Sequence, residues 1–170
     1  MRRHLSGVLE LIFIAALLLL FGATSFMVVS AGGGSYQRVM DKRAVSGDLR
    51  VALSYLTTQL RQNDEAGAVS LRPDPSGGDM LVFTQTFDGE SYETRVYLAD
   101  GRLMEATVAA DASFETLAGT EIVPLTGWRV AFIPPSDGGT GLALLSVSAG
   151  EGPFAETYET AVRLNAAGQS

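Results

Sequence analysis

The sequence is poor in the residues that most enzymes use, with no cysteine, one histidine, one tryptophan and one lysine among 170 residues. Without cysteine there is no disulfide, no thiolate metal ligand and no thiol nucleophile. The histidine, His4, precedes a long apolar run, and Lys42 lies in a predicted helix with no serine marked as its partner. Because the common nucleophile–base pairs need these residue types, we expect a protein that is not an enzyme and that uses no cofactor.

Charged side chains are also missing from residues 11–31, a run of 21 residues. About 20 predominantly apolar residues in a helix span the hydrocarbon core of a bilayer. Thr24, Ser25 and Ser30 interrupt the run without making it hydrophilic, and their small side chains allow another helix to approach closely. We therefore predict a transmembrane helix over residues 11–31, in a protein that crosses the cell membrane once.

Basic residues precede this run, namely Arg2, Arg3 and His4. The positive-inside rule then predicts that residues 1–10 form a cytoplasmic basic stub and that the chain after Gly34 is extracytoplasmic. From residue 35 onward, ten Lys and Arg stand against eighteen Asp and Glu, which gives a net charge of −8. Such a domain repels nucleic acid and anionic lipid head groups, so we expect no nucleic-acid partner for this chain alone.

A second interpretation of the apolar run is a cleaved secretory signal. Val29-Ser30-Ala31, followed by Gly32, has the small-residue spacing of a signal-peptidase site. The run is longer than the apolar core of a usual signal peptide, which has about 7–15 residues. A retained span is therefore favoured, and cleavage after Ala31 stays open as an alternative.

A second helical pattern occupies residues 32–64. Three glycines, Gly32–Gly34, weaken the helix at its start, either as a hinge or within a continuous helix. Beyond them, apolar residues recur at spacings of three and four, which places them in one stripe. Such an amphipathic helix needs a partner surface to bury its stripe. We predict that it packs on a sheet through Val45, Leu49, Leu53, Leu56 and Leu60.

The apolar period changes to two after residue 65, as is typical of strands. Residues 80–87 are predicted to form a strand. Asp88-Gly89 and Asp100-Gly101 are typical of hairpin turns, so this strand and the two that follow it are predicted to form an antiparallel meander. Later strands are predicted at 121–123, 128–133, 142–147 and 157–164. We therefore predict an α+β fold, in which a long N-terminal helix, transmembrane in one half and amphipathic in the other, packs on an antiparallel β-sheet. The sheet belongs to an extracytoplasmic β domain over residues 65–170.

The acidic residues give no clear catalytic or metal-binding pattern. Asp88, Glu90 and Glu93 cluster at a predicted hairpin tip, where we interpret them as a solvated turn rather than a carboxylate pair. Asp74 and Asp79 flank a glycine-containing loop that could offer oxygen ligands to calcium, but their spacing does not match an EF-hand. We expect neither a metal site nor catalytic residues.

The N-terminal stretch RRHLSGVLELIFIAALLLL resembles the type IV pilin-like family, and the pseudopilins in particular. The stretches VALSYLTTQLRQNDEAG, YETRVYLADGRL and TAVRLN are similar to uncharacterised pseudopilin-like membrane proteins of Gram-positive bacteria. Minor pilins of the tight-adherence type show a closely related pattern, with a basic stub, a glycine and an acid before the span.

The resemblance gives Glu10 a role in assembly. In the family, a glutamate at the fifth position of the processed chain pairs with the free amine of a neighbouring subunit. A cation from that neighbour offsets the cost of an acid in lipid. Leader cleavage between Leu5 and Ser6 would make Glu10 the fifth residue, and cleavage between Gly7 and Val8 would make it the third. The alternative is that Glu10 lies at the interface and reaches water.

The resemblance implies a non-enzymatic structural subunit, a minor pilin or pseudopilin of a type IV pilus-like, type II secretion-like or competence filament. Its implied partners are other pilin subunits, the membrane, a leader peptidase and an inner-membrane assembly platform. The alternative is a single-pass anchor that carries an extracytoplasmic sensor or ligand-binding domain, for which Glu10 would matter little.

Overall fold

The computed structural model describes residues 2–74, 77–113, 119–134 and 141–165, with the backbone alone for residues 2–6, 8, 9, 31–39 and 41. Its elements confirm the predicted α+β class. They are α1 (Arg2–Gln62), β1 (Val69–Pro73), β2 (Asp79–Phe87), β3 (Glu90–Ala99), β4 (Arg102–Ala109), β5 (Thr120–Pro124), β6 (Gly127–Ile133), β7 (Gly141–Ala149), a 3-10 turn (Gly152–Phe154) and β8 (Glu156–Leu164).

The chain divides into two compact units, Met1–Lys42 and Arg43–Ser170. The backbone of α1 is helical through residues 32–34, so the two predicted helices form one continuous element. The first unit holds the apolar part of α1. The second holds the C-terminal part of α1 and the described strands.

Strands β1 to β5 form one antiparallel sheet in sequence order. The predicted meander lies at its centre. Asp88 and Gly89 adopt φ angles of 52° and 84°, and Asp100 and Gly101 adopt 49° and 72°. Both pairs are therefore left-handed at the two central positions, as a type I′ turn requires. The Asp-Gly signals consequently fixed the register of both hairpins, which pair Phe87 with Glu90 and Ala99 with Arg102.

A second antiparallel sheet contains β6, β7 and β8. The expectation of one sheet was therefore too simple, and the reason lies in the segment between β5 and β6. Here the backbone N–H of Leu125 donates to Gly101 O (3.0 Å), while that of Thr126 donates to Ser148 O (2.8 Å). Two consecutive residues thus bond to different sheets, and the chain crosses from one to the other. Strand β1, which sequence analysis did not identify, is short and ends in Pro73.

The main core lies between the C-terminal part of α1 and both sheets. Among the predicted stripe residues, Leu49, Leu56 and Leu60 are fully buried, and Val45 and Leu53 are partly buried against the same core. The strands contribute buried residues from both sheets, including Leu81, Phe83, Val96, Leu103, Val130, Ala143, Leu145 and Val162. Trp128 also packs on this core from β6 and is partly buried there.

The opposite face of the five-stranded sheet carries a second, smaller cluster. Met80, Val82, Tyr97 and Ala106 are buried there, with Tyr97 at 0% exposure. Its hydroxyl lies close to Gly119, which follows β4 in the chain. The middle of this sheet is therefore covered on both faces, whereas a simple amphipathic strand pattern would leave one face in water.

We predict that Leu56→Ala lowers the free energy of unfolding by about 2–5 kcal/mol, because it empties a fully buried position. Leu144→Ala is the matched control, since Leu144 is 41% exposed and a substitution at such a site costs about 0.5 kcal/mol. Urea unfolding of the full chain in detergent micelles, followed by the fluorescence of Trp128, measures both. Equal losses would show that the α1 stripe is not the centre of the core.

Candidate functional site

Within the first unit, α1 contains one segment that is long and apolar enough to cross a membrane. It covers the 21 residues Glu10–Ser30 and has a mean hydropathy of 2.6, and none of its described residues is buried. One of its polar side chains, Thr24, is satisfied inside the helix, since its hydroxyl donates to Leu20 O (3.0 Å) or Phe21 O (2.9 Å). By its length and composition the segment is compatible with a single-pass membrane anchor.

Glu10 is the first residue of this segment, and its side chain is exposed. No hydrogen bond or ion pair involves Glu10 among the described residues, so its carboxylate is accessible to a group from outside the chain. The residues of the predicted leader, Leu5, Ser6, Gly7 and Val8, belong to the helical backbone of α1. The side chains of Leu5, Ser6 and Val8 lie outside the described ones, and Gly7 has open space around its Cα.

In the second unit, one polar pair joins β8 to α1 and another joins the residues just after these two elements. At one end of β8, the Ser46 hydroxyl donates to Glu156 Oε2 (2.9 Å). At the other end, Asp64 Oδ2 accepts from the backbone N–H (2.8 Å) and the side-chain amide (3.0 Å) of Asn165. The helical rise from Ser46 to Gln62, where α1 ends two residues before Asp64, is about 24 Å, and the nine-residue strand is about 30 Å long. The similar lengths allow both pairs to form at once.

Two further polar pairs join α1 to the five-stranded sheet. Gln85 Nε2 donates to Asn63 Oδ1 (2.6 Å) at the end of the helix, and the Tyr55 hydroxyl donates to the Glu105 carboxylate. Burial is the main cause that raises the pKa of Tyr55, and the hydrogen bond and charge of Glu105 raise it further. Because each pair joins residues far apart in sequence, no local pattern could have predicted it. Together they fix α1 in one register on the sheets.

On the opposite sheet face, Glu93 lies between two arginines. Its carboxylate contacts Arg72 Nη2 at 2.9 Å and Arg95 at 2.9 Å through both Nε and Nη2. The side chains of Glu93 and Arg95 are only 4% and 6% exposed, and Arg95 Nη2 also donates to Ala112 O (3.1 Å). The interpretation of Glu93 as a solvated turn residue was therefore wrong, because the chain after β4 covers its strand. Glu90 remains exposed at the hairpin tip, as expected.

The predicted acidic groups do not assemble a metal centre within the described ranges. No group of three His, Cys, Asp or Glu side chains in those ranges is placed to hold an ion. Asp74 closes a tight turn, in which its N–H donates to Gly78 O and its carbonyl accepts from Gly77 (both 2.9 Å). Asp79 lies opposite Pro73 at the start of β2. Residues 75 and 76 of this loop lie outside the described residues.

We predict that Glu93→Gln destabilises the fold by about 3 kcal/mol, because it removes one partner of a buried ion pair. The matched control is Glu121→Gln. Glu121 forms an ion pair with Arg102, and their side chains are 38% and 56% exposed. Loss of this exposed pair should lower the free energy of unfolding by about 1 kcal/mol or less. Urea unfolding under the same conditions compares the two. If the two losses were equal, the Glu93 cluster would have no structural role beyond that of a surface pair.

A comparison with protein-family profiles identifies the family of this chain. The profile of a domain of unknown function, DUF4860, matches residues 47–133, slightly more than half of the 170 residues. The chain therefore belongs to the DUF4860 family. The matched part runs from the buried stripe of α1 through the five-stranded sheet to the end of β6. No curated protein and no solved structure matches the chain.

Proposed function

We propose that this chain is a non-enzymatic structural subunit, a minor pilin or pseudopilin of a type IV pilus-like, type II secretion-like or competence filament. One observation carries the proposal. A single helix, α1, contains both a fully exposed 21-residue apolar segment and, further on, a stripe buried against antiparallel sheets. A helix with this double composition suits a subunit that is held in the membrane before assembly and buries its apolar segment against other subunits afterwards.

Glu10 is the proposed assembly residue. A charged side chain at the centre of a membrane helix costs about 2.5–3.5 kcal/mol, and acids within apolar spans usually face a partner or a water-filled path. Glu10 is the first residue of the segment, where the cost is smaller but a partner still offsets it. No partner for Glu10 exists among the described residues, so the compensating cation would come from another molecule. The free amine of a neighbouring, processed subunit has the required charge and mobility.

The proposal includes a topology and a set of partners. The N-terminus would be cytoplasmic, and the chain after Gly34 would be extracytoplasmic. A leader peptidase would expose the new amine, and an inner-membrane platform would move the subunit from lipid into the filament. Nucleic acid is not among the proposed partners, since the chain from residue 35 onward has a net charge of −8.

We predict that Glu10→Gln reduces the amount of the chain in sheared filaments of its native host by at least about tenfold. A tenfold loss requires the free energy of assembly to weaken by only about 1.4 kcal/mol. Gln keeps the size of Glu10 but cannot attract an amine by charge, so insertion into the membrane should be unchanged. Ser25→Ala, a change within the same span, is the control and should assemble normally. Normal assembly of Glu10→Gln would overturn the assembly role of Glu10, whereas absence of the unsubstituted chain from sheared filaments would favour the sensor or ligand-binding alternative.

Leader processing gives a second test. We expect the chain isolated from host membranes to begin at Ser6 or Val8, with a methylated amine. Intact mass spectrometry distinguishes these starts from Met1 and from Gly32. A start at Met1 would show that no leader is removed and that Glu10 has no processed amine to bind. A start at Gly32 would show a secreted domain and would contradict a filament subunit.

A further inference from the structure

The tip of the β2–β3 hairpin carries an unusual group of exposed side chains. Phe87 is 72% exposed, more than any other large apolar side chain described outside the apolar span. Beside it, Tyr92 is 37% exposed and donates its hydroxyl to Glu90 Oε2 (2.7 Å). A cavity of about 430 Å³ opens here, with Glu90, Ser91, Tyr92 and Asp111 among its lining residues. We call Phe87, Glu90, Ser91, Tyr92 and Asp111 the hairpin tip.

The chemistry of the hairpin tip favours a cationic ligand group. Two carboxylates and an aromatic ring face one cavity, and no basic residue lines it among the described residues. A guanidinium in such a place gains charge-assisted hydrogen bonds to the carboxylates and a cation–π contact with the ring. Phe87 adds an apolar contact at the edge. The tip is therefore matched to an arginine with an aliphatic neighbour.

Charge is strongly divided within the second unit. Residues 43–62 of α1 contain three Arg and one Asp, whereas residues 63–170 contain five Arg and sixteen Asp and Glu. Three of those five arginines, Arg72, Arg95 and Arg102, form ion pairs within the β region. The exposed face of α1 is thus the main basic surface of an otherwise acidic unit.

That face of α1 offers the group that the hairpin tip lacks. A shallow groove of about 500 Å³ is lined by Arg50, Val51, Ser54, Tyr55 and Thr58, which we call the helix groove. Val51 is 50% exposed, although it is apolar. Arg50 is exposed and forms no ion pair among the described residues. An arginine and an aliphatic side chain therefore stand next to each other on an unpartnered surface.

We propose that the hairpin tip of one copy of this chain docks into the helix groove of a second copy. Arg50 of one copy would enter the cavity between Glu90 and Asp111 of the other, and Phe87 would cover Val51. This inference deepens the proposed function, on which it rests, by naming the contact between neighbouring outer domains. It matches opposite charge to opposite charge and covers the most exposed apolar side chain of the second unit.

The two surfaces occupy different places on the unit. Val51 lies about three helical turns before the end of α1, roughly 17 Å along its axis. The hairpin tip lies near that end, since Gln85, two residues before Phe87, bonds to Asn63. A contact between two different surfaces is heterologous, so it extends from copy to copy and produces a ring or an open filament.

A third exposed patch lacks this complementarity. On the outer face of the three-stranded sheet, Ile133 and Leu144 are 46% and 41% exposed. The cavity at Leu144 is flanked by Arg129 and Glu159, which have opposite charges. A surface of mixed charge complements neither the hairpin tip nor the helix groove, so it provides a control position for the experiment.

The absence of cysteine makes the contact directly testable by cross-linking in host membranes. Full chains carrying Ser54→Cys in the helix groove and Ser91→Cys at the hairpin tip are co-expressed with different tags and treated with a short bismaleimide. We expect the mixed cross-link to exceed that of the control pair Ser146→Cys and Ser91→Cys by at least about tenfold. A mixed yield no higher than the control, or a predominant link between two Ser91→Cys copies, would overturn the proposal.

Charge reversal tests the chemistry of the same contact. Arg50→Glu in the groove copy, or Glu90→Arg in the tip copy, should lower the Ser54–Ser91 cross-link by about tenfold or more. Combining the two reversals across the pair should restore it, because the ion pair is re-formed with opposite polarity. Unchanged yields in the single variants would overturn the proposal, and Trp128 fluorescence of each variant checks that it is folded.

The outcomes separate this contact from the proposed function. If the cross-link is absent while Glu10→Gln still abolishes assembly, the filament role stands and this interface is wrong. If the cross-link forms and responds to charge reversal while Glu10→Gln assembles normally, the copies dock as inferred but not through a pilin-like mechanism.

Discussion

The fold depends on the burial of one stripe of α1. Leu49, Leu56 and Leu60 have no exposed surface, and residues from both sheets surround them. No strand is shared between the two sheets in the described part of the chain, and residues of both sheets pack in one core with this stripe of the helix. The hydrophobic gain from this burial is non-directional. Orientation must come from polar contacts, which explains why Ser46, Tyr55, Asn63 and Asp64 each bond to a strand or its end.

The apolar part of α1 follows a different physical rule. Between Glu10 and Ser30, none of the described residues of the helix is buried. An apolar surface of this size requires lipid or other protein around it. The same helix thus contains one part whose partner is the chain itself and one part whose partner must come from outside, and Glu10 stands where the second part begins.

Local sequence patterns predicted the features of the fold that depend on residues close together in the chain. The stripe spacing from Val45 to Leu60 predicted the buried face of α1, and the two Asp-Gly pairs predicted both hairpin turns. Long-range contacts decided the rest. The burial of Glu93 depends on Arg72 and on the chain near Ala112, and the division into two sheets depends on the bonds of Leu125 and Thr126. The side-chain period could not reveal either, because it reports one strand at a time.

The distribution of positive charge along α1 calls for an explanation beyond topology. In the proposed orientation, Arg38, Lys42 and Arg43 follow the apolar segment on the outer side, against Arg2 and Arg3 on the inner side. Charges that only set orientation would be fewer outside than inside, although long domains are exported largely regardless of charge. The predicted orientation therefore does not account for the basic residues of α1 on the outer side. Arg50, further along α1, lies in the helix groove, and in the proposed contact its positive charge would attract the acidic hairpin tip of a neighbouring copy.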